Sequence, residues 1–242
     1  MASEQLGELF GRIRAGLRRN LKKGELLSDP VMQSLHHRLL ALKPGALTQR
    51  PMRETRFVVI DTETTGFHAY AGDEICSITL LEIEGMALTG REFNCLINPG
   101  RNITAASTRI HHLSDDDVKD APVIEEVLPE VADFIAESVI VGHHIGFDIR
   151  FLNKTLQKQL LCRLRNPWLD TMLLYLVSSG RVGHYTLEEV TDYCQVQIHD
   201  RHTARGDAMA TALVFMKLAD KLAVFDNSVQ KLIDQQYELG HF

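Results

Sequence analysis

The 242-residue sequence predicts an α/β fold: a mixed five-stranded sheet, its first three strands antiparallel, flanked by helices and preceded by a helical extension. Three observations lead there. Short apolar runs bounded by turn residues mark three consecutive strands. After residue 122, apolar runs of strand length alternate with stretches of helical period. Residues 1–52 carry a different pattern, basic and amphipathic, closed by a proline-flanked linker.

In the extension, Leu6, Leu9, Phe10, Ile13, Leu17 and Leu21 recur at the three-and-four spacing of an amphipathic helix. Ser28-Asp29-Pro30 breaks the pattern before a second helix through Leu35, Leu39 and Leu40, and Lys43 to Pro51 reads as linker. A main domain over 53–225 follows, then a C-terminal tail over 226–242. Within the domain, strands are expected at Phe57–Asp61, Glu74–Glu84 and Glu92–Asn98, with turns at Gly85 and Gly90. Val123–Ser138 is helical in pattern, Val139–Gly142 is an apolar strand, and Phe147–Leu161 repeats Phe151, Leu152, Leu156 and Leu160 on one helical face. A brief strand at Trp168–Leu169 precedes helices over Thr171–Val177, Thr186–Cys194 and Ala204–Leu222.

Composition bounds the function classes. With 45% hydrophobic and 24% charged residues the chain is neither disordered nor a membrane protein in character, and a cytoplasmic protein without a membrane span is expected. Cys76, Cys95, Cys162 and Cys194 form no C-x-x-C pair, which argues against a zinc site or a redox dithiol. The net charge of −6 conceals an asymmetry: up to Met52 nine Lys and Arg face four acids, which leaves −11 for the remainder. An acidic body suits a protein that recruits cations rather than one that binds phosphates by its own charge.

Three acidic segments carry the chemistry. In Asp61-Thr62-Glu63-Thr64-Thr65-Gly66, at a strand end, period two turns Asp61 and Glu63 to the same side. Hard cations suit such a pair, and strand-end charges facing water are the plain alternative. Asp148 follows Val141-Gly142-His143-His144-Ile145-Gly146-Phe147 in the first turn of a helix, where an acid also favours the helix dipole. Asp207 closes His202-Thr203-Ala204-Arg205-Gly206-Asp207 at the start of the last long helix.

Together these segments resemble the DEDDh family of 3′–5′ exonucleases, whose members include the proofreading subunit of bacterial replicative DNA polymerase. The resemblance runs from about Phe57 to Leu222. The first motif matches Asp61 and Glu63 and the second Asp148; the third, H-x-A-x-x-D-A, matches His202, Ala204, Asp207 and Ala208. Asp170-Thr171 and Leu187 fall where the family has a D-T and a leucine-bearing helix.

The resemblance implies a ribonuclease H-like fold and metal-dependent removal of nucleotides from a 3′ end as nucleoside 5′-monophosphates. It further implies two Mg²⁺ or Mn²⁺ ions about 3.5–4 Å apart. Asp61, Glu63, Asp148 and Asp207 would hold them, and His202 would be the general base. The position four before the last Asp is Thr203 and not Tyr, which favours the histidine branch.

Substrate contacts are expected from Thr64, Thr65 and Gly66, and from Phe67, whose ring would stack on the terminal base unless it packs in the core. His111 is expected near the substrate's 3′ end. His143 and His144 are further substrate candidates, with structural or solvent-exposed histidines as the alternative; they stand where the family shows His-Asn, and His111-His112 where it often shows His-Gly. Asp170 is expected to be structural, and Trp168 to fill the core.

The partner implied is single-stranded or 3′-terminal nucleic acid. DNA is favoured over RNA because Thr64-Thr65 lacks the Met-Thr of the oligoribonuclease branch. A proofreading or repair role follows, with an RNA exonuclease or an inactive binding subunit as alternatives. The basic extension could dock a protein partner or nucleic acid or pack on the domain, and Gln5–Phe10 and Gln236–Phe242 only loosely resemble sliding-clamp peptides.

Overall fold

Alternating burial along the first strand organises the molecule. A computed structural model describes residues 25–223 and 227–239; the amphipathic stretch Leu6–Leu21 and the first clamp-like segment lie outside them. Strands β1 (Phe57–Thr64), β2 (Ile75–Glu84), β3 (Ala87–Leu96), β4 (Val139–Gly142) and β5 (Trp168–Asp170) form one sheet in the order β3-β2-β1-β4-β5. The β1–β2 and β2–β3 pairs are antiparallel, and β4 and β5 add in parallel beside β1. This is the mixed sheet expected from the sequence.

The helices are α1 (Pro30–Ala41), α2 (Pro44–Thr48), α3 (Ala105–His111), α4 (Asp115–Val118), α5 (Ile124–Ile135), α6 (Gly146–Gln159), α7 (Thr171–Ser179), α8 (Leu187–Cys194), α9 (Ala204–Leu222) and α10 (Val229–Leu239). Odd-numbered Phe57 and Val59 of β1 pack with Ala208, Ala212 and Phe215 of α9. Even-numbered Val58 and Ile60 pack with Val131 and Ile135 of α5 and Phe151 and Leu152 of α6. Each face of the sheet therefore has its own core, as a strand buried on both sides requires.

Several boundaries differ from the sequence reading. β1 runs on to Thr64 because its polar end still pairs: Asp61, Thr62 and Glu63 lie opposite Thr79, Ile78 and Ser77 of β2. β3 begins at Ala87, directly after a two-residue turn in which Gly85 and Met86 both have positive φ. Gly90 lies within β3, in the stretch where the register against β2 shifts, and so marks a bulge and not a turn. Trp168 is half-buried at the sheet edge, where its ring lies 6.0 Å from that of Tyr237.

The described parts of both flanking segments pack on the domain. Met32, Leu35 and Leu39 of α1 join Leu128 and Ala132 of α5, Leu156 of α6 and Leu160 just after it in a satellite core. Residues 226–242 are not a simple tail: Val229, Leu232 and Ile233 of α10 enter the main core. Gln236 is buried, its Oε1 accepting from Asp170 N at 3.1 Å and its Nε2 donating to Trp168 O at 3.0 Å. It caps the exposed edge of β5 and is not free to begin a docking peptide. Met52 N donates to Asn227 O and Val229 N to Arg50 O, tying the linker to the last helix. Among the described residues, no helix is long and apolar enough to cross a membrane.

Candidate active site

The face that buries Phe57 and Val59 against α9 also carries Asp61 and Glu63 at the far end of β1, beside Asp207 in the first turn of α9. One oxygen from each of the three carboxylates lies within 4.8 Å of the others. Thr62, between the two strand acids, points to the opposite face, where its hydroxyl donates to Asp148 Oδ1 at 2.7 Å. Asp148 is buried in the first turn of α6. Of the four acids predicted to act together, three form one cluster, and Asp148 stands beside it on the helix of the other face.

Crowding and burial leave these groups short of positive charge. Glu63 is pushed up to about 8 by desolvation and then by Asp207 and Asp148. Desolvation raises Asp148 to about 7 against the hydrogen bond from Thr62. Asp61, at the floor of the cleft, is raised well above the usual carboxylate range by desolvation and by its three acidic neighbours. Desolvation raises Asp207 as well. Hard oxygen donors converging in a desolvated cleft fit a hard divalent cation.

Two positively charged or ionisable side chains approach Asp207 from the loop before α9. The main-chain N–H of His202 donates to Asp207 Oδ1 at 3.3 Å, and the Arg201 guanidinium donates to Oδ2. Arg201 Nε is also 2.6 Å from Glu188 Oε1 on α8. Thr203, where the sister branch has Tyr, caps α9 by accepting from Gly206 N at 3.0 Å. The acidic cluster divides two cavities. One, about 380 Å³, is lined by Glu63, His111, His202 and Thr203. The other, about 350 Å³, is lined by Asp61, Asp207, Arg201, His143, His144 and Tyr185. A larger hollow of about 620 Å³ lies at the opposite end of β1, near Arg56 and away from these acids.

Several expected substrate contacts are engaged within the protein. The Thr64 hydroxyl donates to Gly66 O at 2.7 Å; that of Thr65 donates to Asp73 Oδ1 at 3.2 Å and accepts from Glu74 N at 3.1 Å. A Cβ on Gly66 would stand 2.4 Å from Asp73 Oδ2, so any larger residue here would displace the Asp73 side chain from the turn. His111 is buried where it lines the cavity beside Glu63 and His202: Leu113 N donates to its Nδ1 at 3.1 Å, which leaves the Nε2 proton for Thr64 O at 3.2 Å. The latter bond ties it to the end of β1.

His143 is held between the Thr171 hydroxyl (Nδ1, 3.0 Å) and Tyr185 O (Nε2, 3.1 Å). Desolvation and neighbouring His144 lower it to about 4. His144 keeps an exposed ring, while its main-chain N–H donates to Asp170 Oδ1. Asp170, expected to be structural, also accepts from Ile145 N and Met172 N. Phe67 is 60% exposed, with its ring 6.3 Å from Phe147, and so offers a face instead of filling the core. His144 (φ 56°) and His112 (φ 61°) both adopt left-handed backbone, as the Asn and Gly of the usual pattern do readily.

Sequence reasoning missed Thr62 and Arg201. Period two alone turns Thr62 away from Asp61 towards the other face, and an arginine adjoining the third acidic motif was the available signal for Arg201.

A family model described as Exonuclease (RNase_T) matches residues 58–215, which span β1 to α9. The chain belongs to this exonuclease family. Residues 58–215 are thus an exonuclease domain. A DNA polymerase III subunit epsilon-like protein of Rhodobacter capsulatus is 40% identical over 183 residues, covering 74% of this chain and 26% of that one. The exonuclease thus spans about a quarter of that relative's length. DNA polymerase III subunit epsilon of Aquifex aeolicus is 32% identical over 180 residues, 74% of this chain and 88% of that one. The nuclease domain of 3′hExo, a DEDDh family member solved with rAMP, shares the fold with a TM-score of 0.61 at 14% identity, covering 71% of this chain and 94% of that one.

Proposed function

We propose that this exonuclease removes nucleotides from the 3′ end of DNA as nucleoside 5′-monophosphates, in proofreading or repair. The observation that carries the reading is the convergence of Asp61, Glu63 and Asp207 within 4.8 Å, with His202 bonded to Asp207 through its main chain. DNA is favoured by the relatives, which are named as subunits of a DNA polymerase.

Asp61, Glu63 and Asp207 would hold one divalent ion, and Asp148 would serve a second from the other face. Such ions, when bound, supply positive charge to the attacking water and the leaving 3′ oxygen. His202, lining the cavity on the Glu63 side, takes the proton from the water, since imidazole exchanges protons near neutral pH. Phe67 presents an aromatic face to the terminal base. Thr62 keeps Asp148 oriented by donating to one of its oxygens.

The test is incubation of the full chain with end-labelled single-stranded DNA, duplex DNA and RNA in Mg²⁺, Mn²⁺ or EDTA. Shortening of DNA from the 3′ end, with 5′-monophosphates as product and none in EDTA, is expected. Preferential shortening of RNA would move the substrate to the ribonuclease alternative. Shortening of no substrate with any metal would leave only a binding subunit.

A further inference from the structure

The loop before α9 is built to send two neighbouring side chains to different sides of one carboxylate. Asp200 (φ 52°) and His202 (φ 63°) both adopt left-handed backbone, with Arg201 between them. Such conformations are unfavourable for residues with a Cβ and persist where surrounding structure enforces them. Here the enforcing contact is with α9, because the carbonyl oxygen of Asp200 lies where a side chain on Gly206 would begin. As a result His202 lines the cavity on the Glu63 side and Arg201 lines the one shared by Asp61, Asp207, His144 and His184.

Arg201 is held at two points. Nε lies 2.6 Å from Glu188 Oε1, while the guanidinium NH1 rests on Asp207. Glu188 is drawn down to about 2, first by the hydrogen bond from Arg201, so it stays ionised throughout the neutral range. No described residue bonds the remaining NH2 group. Arg201 and a divalent ion draw on the same Asp207 charge; in the reading proposed above, on which this inference rests, the ion takes Oδ2 and the guanidinium gives way. Glu188 still holds Nε, so Arg201 stays in the cavity with an open NH1–NH2 edge. That planar, doubly donating edge is suited to two oxygens of one phosphate.

We propose that Arg201 is a tethered phosphate-binding side chain: it rests on Asp207 in the metal-free enzyme and, retained by Glu188, takes the phosphate of the nucleotide in the adjoining cavity. Glu188 is its positioning residue. The arrangement couples substrate to metal, because the phosphate site opens only when Asp207 is otherwise engaged.

The experiment uses the full chain and calorimetric titration with Mn²⁺, then with dTMP and thymidine in saturating Mn²⁺. Arg201→Gln is expected to weaken dTMP binding by roughly tenfold or more, the loss of a charge-assisted hydrogen-bond pair, and to leave thymidine unaffected. Mn²⁺ binding should tighten in Arg201→Gln, where the competitor is gone, and weaken in Glu188→Gln, where Arg201 leans wholly on Asp207. Opposite shifts follow from charge alone and show that both groups act on the metal site; the lost preference for dTMP over thymidine is the readout that a merely structural role does not move. Arg201→Lys, which keeps charge but lacks the fork, should fall between wild type and Arg201→Gln for dTMP and guards against misfolding of the latter. An oligothymidylate titrated with Ca²⁺ separates two sources: loss for dTMP alone assigns the released phosphate, and loss for both includes phosphates in the strand. The proposal is overturned if Arg201→Gln retains the wild-type preference for dTMP over thymidine, or if its Mn²⁺ binding fails to tighten. Failure of the exonuclease reading would appear separately, as wild-type protein that shortens no nucleic acid.

Discussion

Gly206 and Asp200 occupy the same space: a Cβ on the glycine would stand 2.1 Å from the carbonyl oxygen of Asp200 and 2.6 Å from that of His199. Both obstacles are backbone, so Gly206→Ala must displace the loop that carries Arg201 and His202. Overpacking of this kind costs about 1–3 kcal/mol. The activity loss should exceed what that destabilisation explains, because both side chains move relative to Asp207. Gly45→Ala in α2, where nothing lies within 4 Å of the added carbon, is the control and should be neutral or stabilising by up to about 1 kcal/mol. Thermal unfolding and exonuclease rate on the two variants check this; equal behaviour would show that the loop has room to yield.

Asp61→Asn should abolish activity and yet stabilise the metal-free protein at pH 8. The sign follows from the raised carboxyls. A group whose folded-state pKa lies above its unfolded value favours the fold while protonated, and that contribution is lost as pH rises through the folded value. With Glu63 at about 8 and Asp148 at about 7, metal-free wild type should lose stability between roughly pH 4 and 8. Removing the central charge relieves its neighbours. In Mn²⁺ the order should reverse, since wild type gains the binding energy and the variant does not. Melting temperatures in EDTA and in Mn²⁺ decide it, and an equal Mn²⁺-induced rise in both proteins would remove Asp61 from the metal site.

The sheet and the acidic cluster were legible because both follow from period two. Phe57 and Val59 enter the α9 core, and two steps further the same face presents Asp61 and Glu63 to Asp207. Less legible were features fixed by partners distant in sequence. Strand β1 extends through polar residues because β2 pairs with them, against the poor strand propensity of Asp61 and Glu63. The last helix reads as a tail until Gln236 is seen bonding the edge of β5. His111 carries a motif signal for substrate, but two main-chain groups occupy its ring nitrogens.

The extension's second helix is a structural part of the domain. Met32 is fully buried among Leu128, Leu156 and Leu160, side chains on or directly after the two helices that cover the Val58–Ile60 face of the sheet. Met32→Ala should therefore cost about 2–5 kcal/mol. Because the cavity lies on the far side of α5 and α6 from the sheet, the rate at low temperature should be nearly unchanged. Denaturant unfolding and activity below the transition check both halves; an unaltered midpoint would show that α1 docks too loosely to matter.

His143 should make the fold sensitive to acid in a way separable from the carboxylates. Its folded-state value of about 4 lies below the ordinary 6.5, with burial as the largest cause. A depressed histidine contributes stability that is present above its unfolded pKa and is lost as pH falls through the folded one, here between about 6.5 and 4. The full effect is on the order of 3 kcal/mol at most. Glu63 and Asp148 act in the opposite direction over much of the same range, so the wild-type profile alone does not isolate it. His143→Gln can still bond the Thr171 hydroxyl but no longer titrates. Wild type should be the more stable protein at pH 7.5, with the gap narrowing steadily towards pH 4.5 as the unfolded wild-type chain takes up a proton that the folded one refuses. Unfolding midpoints of the pair in EDTA across that range give the answer, and a pH-independent gap would show that His143 accepts its proton in place.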